Sequence, residues 1–458
     1  MTITPDLGRI VGIAAAVASP LLPLTARAQA PHLVAPPDAA VTLGVAPRLG
    51  IAGLAAGDTA TIVAWRRATR YAGPDRTDTL TVRSFAVLAG SPTGAIAIGD
   101  ARPVAGTWSA PDPLGLFWSM ERRDTALTLT PGEVALRLEW HGHAVDSLLL
   151  HFRDAAPGVR TMWVEGDGFA GAFARPAGAG PFPALLVLHG SEGGDSSRAV
   201  AAAQSFANHG FATFAVTYFS WGGRIRGVPT ALVNIPVEML DKVRAWLGGQ
   251  TGVDTARAGI WGASKGAEFA LVAAARRAWP RAVVACAASD VVWAGFGRPA
   301  RQGERMSSWS DGGRPLDYVP YDNFQDVTQG RITSRTEHDR SRARFSDSVP
   351  PARIPTAQVH ARLLLIGSDR DEVWPSGPMV RSMAAELASE GRAGRVLTRV
   401  DPAAGHTTCG TGMAPAAVYE QKLPTDLVPD PRATAKAAGE NWMAAIDFLR
   451  RQLDQPRE

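Results

Sequence analysis

A β-sandwich followed by a mainly parallel sheet covered on both faces by helices is the fold that this sequence predicts, on three observations. Between about Pro31 and Asp154 the apolar runs are short, alternating or β-rich, and Gly, Pro and Asp turns divide them. From Ala184 onward, short unbroken apolar runs alternate with segments whose apolar residues recur at three-and-four spacing, which is the pattern of buried parallel strands joined by helices. Within that second stretch, Gly262-Ala263-Ser264-Lys265-Gly266 falls where an apolar run gives way to a helical pattern.

At 458 residues the chain has room for two or three domains. Its composition, 46% hydrophobic and 20% charged, is that of an ordinary globular protein. The net charge of +4 comes from scattered arginines and only four lysines, so no concentrated cationic face is formed and nucleic acid is not expected as a partner. Two cysteines, Cys286 and Cys409, are too few for a disulfide scaffold and too far apart in sequence for pairing to be inferred.

In chain order, the first element is a leader. Arg9 precedes an apolar run from Ile10 to Leu24 that two prolines interrupt, and Ala26-Arg27-Ala28 follows with the small residues a signal peptidase recognises. Residues 1–28 are therefore expected to be a signal peptide, placing the mature chain in the periplasm or outside the cell; an uncleaved leader would leave it cytoplasmic. The run is shorter than the ~20 residues a spanning helix needs. No later stretch approaches that length, so no stable membrane insertion is expected once the leader is gone.

The sandwich strands are read at "ATIVAWRRA", "TLTVRSFAVL", "TALTLTPGEVALRLEW" and "DSLLLHF", giving a first domain over 31–154. "RTMWVEGDGFAGAFARPAGAGPFP" reads as a hairpin leading into the second domain, 160–458. There the strands are "ALLVLHG", "FATFAVTYF", "RAGIWGAS", "RAVVACAASD", "RLLLIGSD" and "RVLTRVDPAAGH", with helical patterns at "SRAVAAAQSFANHG", "PVEMLDKVRAWLGG", "KGAEFALVAAARRA" and "PMVRSMAAELASEG". Residues 295–358 break that rhythm and are expected to form a cap insertion over the pocket.

The glycine-flanked serine has a chemical reading. A strand-to-helix turn this tight requires residues without bulk two before and two after the serine, and it lifts the hydroxyl clear of the sheet beside a helix N-terminus. A serine hydroxyl needs a base, and the base an orienting acid. "LLLIGSDRDEVWPS" offers Asp369 and Asp371 at a strand end. Asp371 is the better candidate because Val373 and Pro375 follow it in a D-x-V-x-P pattern, with Asp369 as the alternative acid. "VDPAAGHTTCG" supplies His406 in a glycine-flanked loop. The backbone N–H of Lys265, with that of Ser191 or Glu192 in the loop "LHGSEGG", would make a two-donor oxyanion hole. His189 reads as a ring shaping that loop, and His141, His143 and His151 as surface residues on strands. Neither metal nor organic cofactor is expected.

These segments together resemble the acyl-CoA thioesterase and bile acid-CoA:amino acid N-acyltransferase family. The similarity rests on "GTWSAPDPLGLFWSME" in the first domain, and on "LHGSEGG", "IPVEMLDKVRAWL", "GASKGAEFAL", "RPLDYVPY", "DRDEVWPS" and "AAGHTTC" in the second, in that order. It implies an immunoglobulin-like sandwich ahead of an α/β-hydrolase domain. Members with serine at the nucleophile position are thioester hydrolases, whereas the amino-acid transferase looks to have cysteine there. Ser264 thus implies hydrolysis of a small-molecule acyl thioester or ester. An exported carboxylesterase or peptidase of the same fold is the enzymatic alternative; a non-catalytic binding protein is the other. Glu268, in the matched helix, reads as a buried ion-pair or helix-start residue.

Overall fold

The computed structural model describes residues 30–73, 76–123, 129–297, 306–420 and 428–454. The leader expected over 1–28 lies outside the described residues.

The N-terminal β region holds two sheets around one core. Strands Thr59–Gly73 and Arg76–Ala89 form a long antiparallel pair, flanked by Glu133–Trp140 and His143–Arg153 in a seven-stranded sheet. A three-stranded antiparallel sheet contributes Ile51 and Ile96, which pack with Ile62, Val82, Leu136 and Leu150. Alternation is what buries them: along Glu133–Trp140, Val134, Leu136 and Leu138 point inward while Arg137 is exposed.

The second sheet has eight strands. Arg160–Gly166 and Phe169–Arg175 form the antiparallel hairpin at one edge. The order then runs Ala212–Thr217, Phe182–Leu188, Val253–Ala263, Ala282–Cys286, Arg362–Ser368 and Val396–Asp401, each pair parallel. Because successive side chains leave a strand on opposite faces, one run of apolar residues builds two cores. Leu186 and Leu188, with Val283 and Leu363, face helices Glu238–Gly248, Lys265–Arg276 and Ser376–Ser389. Leu185 and Val187, with Val284 and Leu364, face helices Ser196–Ala207 and Pro431–Leu453.

That last helix is absent from the sequence reading. Its signal is present: Asp430 caps it through the Arg432 and Ala433 N–H groups, Pro431 opens it, and Ala435, Ala438, Trp442, Ile446, Leu449 and Leu453 recur on one face. It also joins the two regions. The Trp442 indole donates to the Gly44 carbonyl at 2.7 Å, and Ala435, Met413 and Ala416 extend the N-terminal core beside Leu114 and Phe117.

Candidate active site

Ser264 sits at the carboxyl end of the Val253–Ala263 strand with φ 56° and ψ −121°, a left-handed backbone that non-glycine residues rarely adopt. Its glycine neighbours are there for lack of space. A Cβ on Gly262 would lie 2.1 Å from the Gly266 carbonyl oxygen, and one on Gly266 would lie 2.4 Å from the carbonyl oxygens of Leu188 and His189. The Ser264 N–H donates to the Cys286 carbonyl at 2.8 Å, pinning the turn to the next strand. Helix Lys265–Arg276 starts immediately after, so the Lys265 N–H has no carbonyl four residues back within the helix.

The two aspartates go to different partners. Asp369 is exposed and makes a two-pronged ion pair with Arg381, at 2.6 and 2.7 Å. Asp371 is 1% exposed and faces His406, whose Nδ1 lies 2.9 Å from both carboxylate oxygens. Ser376 Oγ donates to Asp371 Oδ2 at 2.5 Å, and the Val373 N–H to Oδ1 at 2.9 Å. Burial pushes the Asp371 carboxyl up, but the His406 charge and the hydrogen bonds from His406, Ser376 and Val373 outweigh it and hold the group below its ordinary value. An ionised Asp371 accepts a hydrogen bond from Nδ1–H, which leaves Nε2 as the basic nitrogen of a neutral ring. Ser376, Trp374 and Glu372 all lie in the acid segment, where no sequence pattern marks them. The Trp374 ring stands edge-on to His406 at 5.5 Å, and Glu372 Oε2 accepts the His406 N–H at 3.0 Å.

Ser264 and His406 line one cavity of about 390 Å³, walled by Leu188, Ala215, Trp261 and Ala287 and edged by Glu192 and Arg198. This is the size of a small-molecule site. Of the two proposed partners for the Lys265 N–H, Glu192 lines the cavity and Ser191 does not. The Glu192 carboxylate accepts the Gly190 N–H at 3.0 Å. His189 stacks flat on Tyr218 at 4.0 Å and its Nδ1 donates to the Gly190 carbonyl, while burial lowers its pKa and keeps the ring neutral.

The expected cap does not line this cavity: among the described residues, none of 295–358 does so. That segment packs instead behind the acid loop. Arg335 donates from its backbone to the Glu372 carbonyl and from its guanidinium to the Asp371 carbonyl, and His338 stands against Trp374 at 5.7 Å. Arg342 ties the same helix, Ser334–Arg344, to buried Asp290 at 2.7 Å. The histidines 141, 143 and 151 make no metal cluster, and no group of metal-ligating side chains is found among the described residues.

Directly behind Ser264 lies a buried ion pair. Lys265 Nζ donates to both oxygens of Glu268 at 2.7 and 2.8 Å, and Glu268 Oε1 also accepts the Trp309 indole N–H and the Trp293 backbone N–H. Lys265 is 2% exposed and Glu268 0%. Burial lowers the lysine and raises the glutamate pKa, so each needs the other to stay charged. Lys265→Met should therefore strand the carboxylate and lower stability by about 3–5 kcal/mol, read from the denaturant midpoint; a loss under about 1 kcal/mol would show that the pair is dispensable.

A pH effect follows from Glu372. Burial pushes its carboxyl from 4.5 up to about 7. Over that interval the unfolded chain has released a proton that the folded chain retains, so the stability it contributes at low pH is lost as pH rises through about 7. Glu372→Gln keeps an acceptor for the His406 N–H but does not titrate. The fall in Tm between about pH 5 and about pH 8 should be smaller in the variant, and an unchanged fall would assign the slope to other groups.

Comparison with known proteins extends these observations. Residues 235–455 match the family model described as BAAT / Acyl-CoA thioester hydrolase C terminal, and residues 48–165 the one described as Acyl-CoA thioester hydrolase/BAAT N-terminal region. The chain is 30% identical over 187 residues to mouse acyl-coenzyme A thioesterase 6, covering 38% of this chain and 42% of that protein. It is 26% identical over 314 residues to rat acyl-coenzyme A amino acid N-acyltransferase 2, covering 68% and 69%. With mouse bile acid-CoA:amino acid N-acyltransferase it shares 22% identity over 374 residues, covering 76% and 83%. The first of these matches thus spans less than half of the relative's length.

Proposed function

Because the chain belongs to the acyl-CoA thioester hydrolase and bile acid-CoA:amino acid N-acyltransferase family through both its N-terminal and C-terminal regions, we propose that it is an ester or thioester hydrolase acting through an acyl-enzyme on Ser264. The observation that carries this reading is that His406, held by Asp371, lines the same cavity as the strained Ser264.

In the first half-reaction Ser264 Oγ attacks the acyl carbonyl and gives its proton to His406 Nε2. The oxyanion is held by the N–H of Lys265 and one from the 190–194 loop. Collapse expels the thiolate or alkoxide, which takes the proton from His406. Water then repeats the sequence: it loses a proton to His406, attacks the ester, and releases the carboxylic acid as Ser264 recovers its proton. An oxygen ester yields readily to water, so hydrolysis rather than transfer to an amine is the outcome of a serine at this position. The N-terminal region is taken as the immunoglobulin-like domain of the family.

Export through the 1–28 leader is part of the proposal. The Cys286–Cys409 disulfide supports it, since such bonds persist in oxidising compartments. Acyl-CoA is a cytosolic metabolite, and the same disulfide therefore favours a carboxylesterase acting on another ester outside the cytoplasm. The test is a panel of acyl-CoAs of several chain lengths, p-nitrophenyl esters and peptides offered to the purified protein. Preference for a CoA leaving group supports the thioesterase reading, preference for simple esters the second, and inertness toward all of them removes both.

A further inference from the structure

The two cysteines that sequence spacing could not pair are joined in the structure, with Cα atoms 6.3 Å apart and 123 residues between them. Their positions are informative. Cys286 ends the strand that lies between the Ser264 strand and the acid strand, in register with Ala263 on one side and Ile366 on the other. Its carbonyl accepts the Ser264 N–H. Cys409 stands three residues beyond His406, in a stretch without helix or strand. Both cysteines line the cavity.

Hydrogen bonds tie this stretch too, beside those of His406 to Asp371 and Glu372. The Gly405 N–H donates to Thr434 Oγ1 at 2.9 Å, and Asn441 Nδ2 donates to the Thr408 carbonyl at 3.0 Å. One covalent bond therefore links the residue that anchors the nucleophile's backbone to the loop that presents the base.

We infer that the Cys286–Cys409 disulfide positions His406 relative to Ser264, so that catalysis, and not only folding, depends on its being formed. This inference rests on the triad reading above. A base carried on a loop must be held closely, because a displacement of about 1 Å can cost on the order of 10²-fold in rate. Asp371 orients the ring by one nitrogen. The disulfide fixes the loop beyond it.

The experiment uses the full chain purified without reductant. Iodoacetamide should modify neither cysteine, by intact mass, until dithiothreitol supplies two electrons and two protons to the bond, leaves as its cyclic disulfide and frees two thiols. With p-nitrophenyl butyrate as probe, reduction should lower kcat roughly tenfold to a hundredfold while KM changes by less than about twofold. Labelling of Ser264 by a fluorophosphonate should slow in parallel, far-UV circular dichroism should stay constant, and oxidised glutathione should restore the rate. Cys409→Ser, at the half-buried end, should behave as the reduced enzyme and ignore reductant; the double variant with Cys286→Ser provides the second case.

Free thiols in the untreated protein overturn the inference. So does a kcat that survives reduction, a change confined to KM, or loss of the circular dichroism signal, which would make the bond a folding staple only. A reduction-insensitive enzyme that Ser264→Ala still silences sinks this inference alone. Turnover that survives Ser264→Ala sinks the triad reading beneath it.

Discussion

Replacing Ser264 with alanine is expected to reduce turnover on the order of 10⁶-fold, the loss seen when the nucleophile of a serine protease is removed, and to abolish stoichiometric labelling by an organophosphonate. The fold should be untouched. Alanine keeps the Cβ that already tolerates φ 56° at this turn, and the Ser264 N–H bond to the Cys286 carbonyl is made by the backbone. Thermal melting and circular dichroism of the variant should match the parent. Residual hydrolysis at the parental rate would remove Ser264 as nucleophile and take the mechanism with it, whatever the family membership.

Replacing Asp371 with asparagine should cost on the order of 10⁴-fold in kcat, by analogy with the same change in a serine protease triad. The physical cause is tautomeric. An ionised carboxylate accepts from His406 Nδ1–H and leaves Nε2 basic, whereas an amide can donate to Nδ1 and turn the ring to the wrong form. The surrounding donors, Ser376 Oγ and the Val373 N–H, are arranged for a carboxylate. Asp369→Asn is the control: that side chain faces Arg381 on the half-exposed surface, and its loss should leave kcat within about twofold, as surface ion pairs contribute little. Reversed magnitudes would exchange the two assignments.

These two residues also show where sequence reasoning stops. The D-x-V-x-P pattern pointed to Asp371, but two aspartates separated by one residue at the end of one strand cannot be told apart by periodicity; only the direction each side chain takes separates them. The insertion at 295–358 was visible as a break in the strand-helix alternation, yet its destination was not. A cap over the pocket is the expectation, and among the described residues the segment ties Arg335 to the acid loop and Arg342 to Asp290. The helix Pro431–Leu453 is legible by its cap and its apolar stripe.

What the sequence by itself determined is whatever depends on neighbours along the chain. Strand and helix alternate from Ala184 because the apolar period changes there, and Ser264 stands in a strained turn because Gly262 and Gly266 have no Cβ to collide with the backbone around them. Such sterics act over a few residues, so a few residues encode them. Tertiary structure decided that His406 meets Asp371, that Glu268 accepts from Trp309 beneath the nucleophile, and that Cys286 reaches Cys409 across 123 residues. Each of these needs groups distant in sequence to arrive within a few ångströms. Their meeting is set by how the strands order themselves in the sheet, and by the burial that makes an unpaired charge too costly to keep.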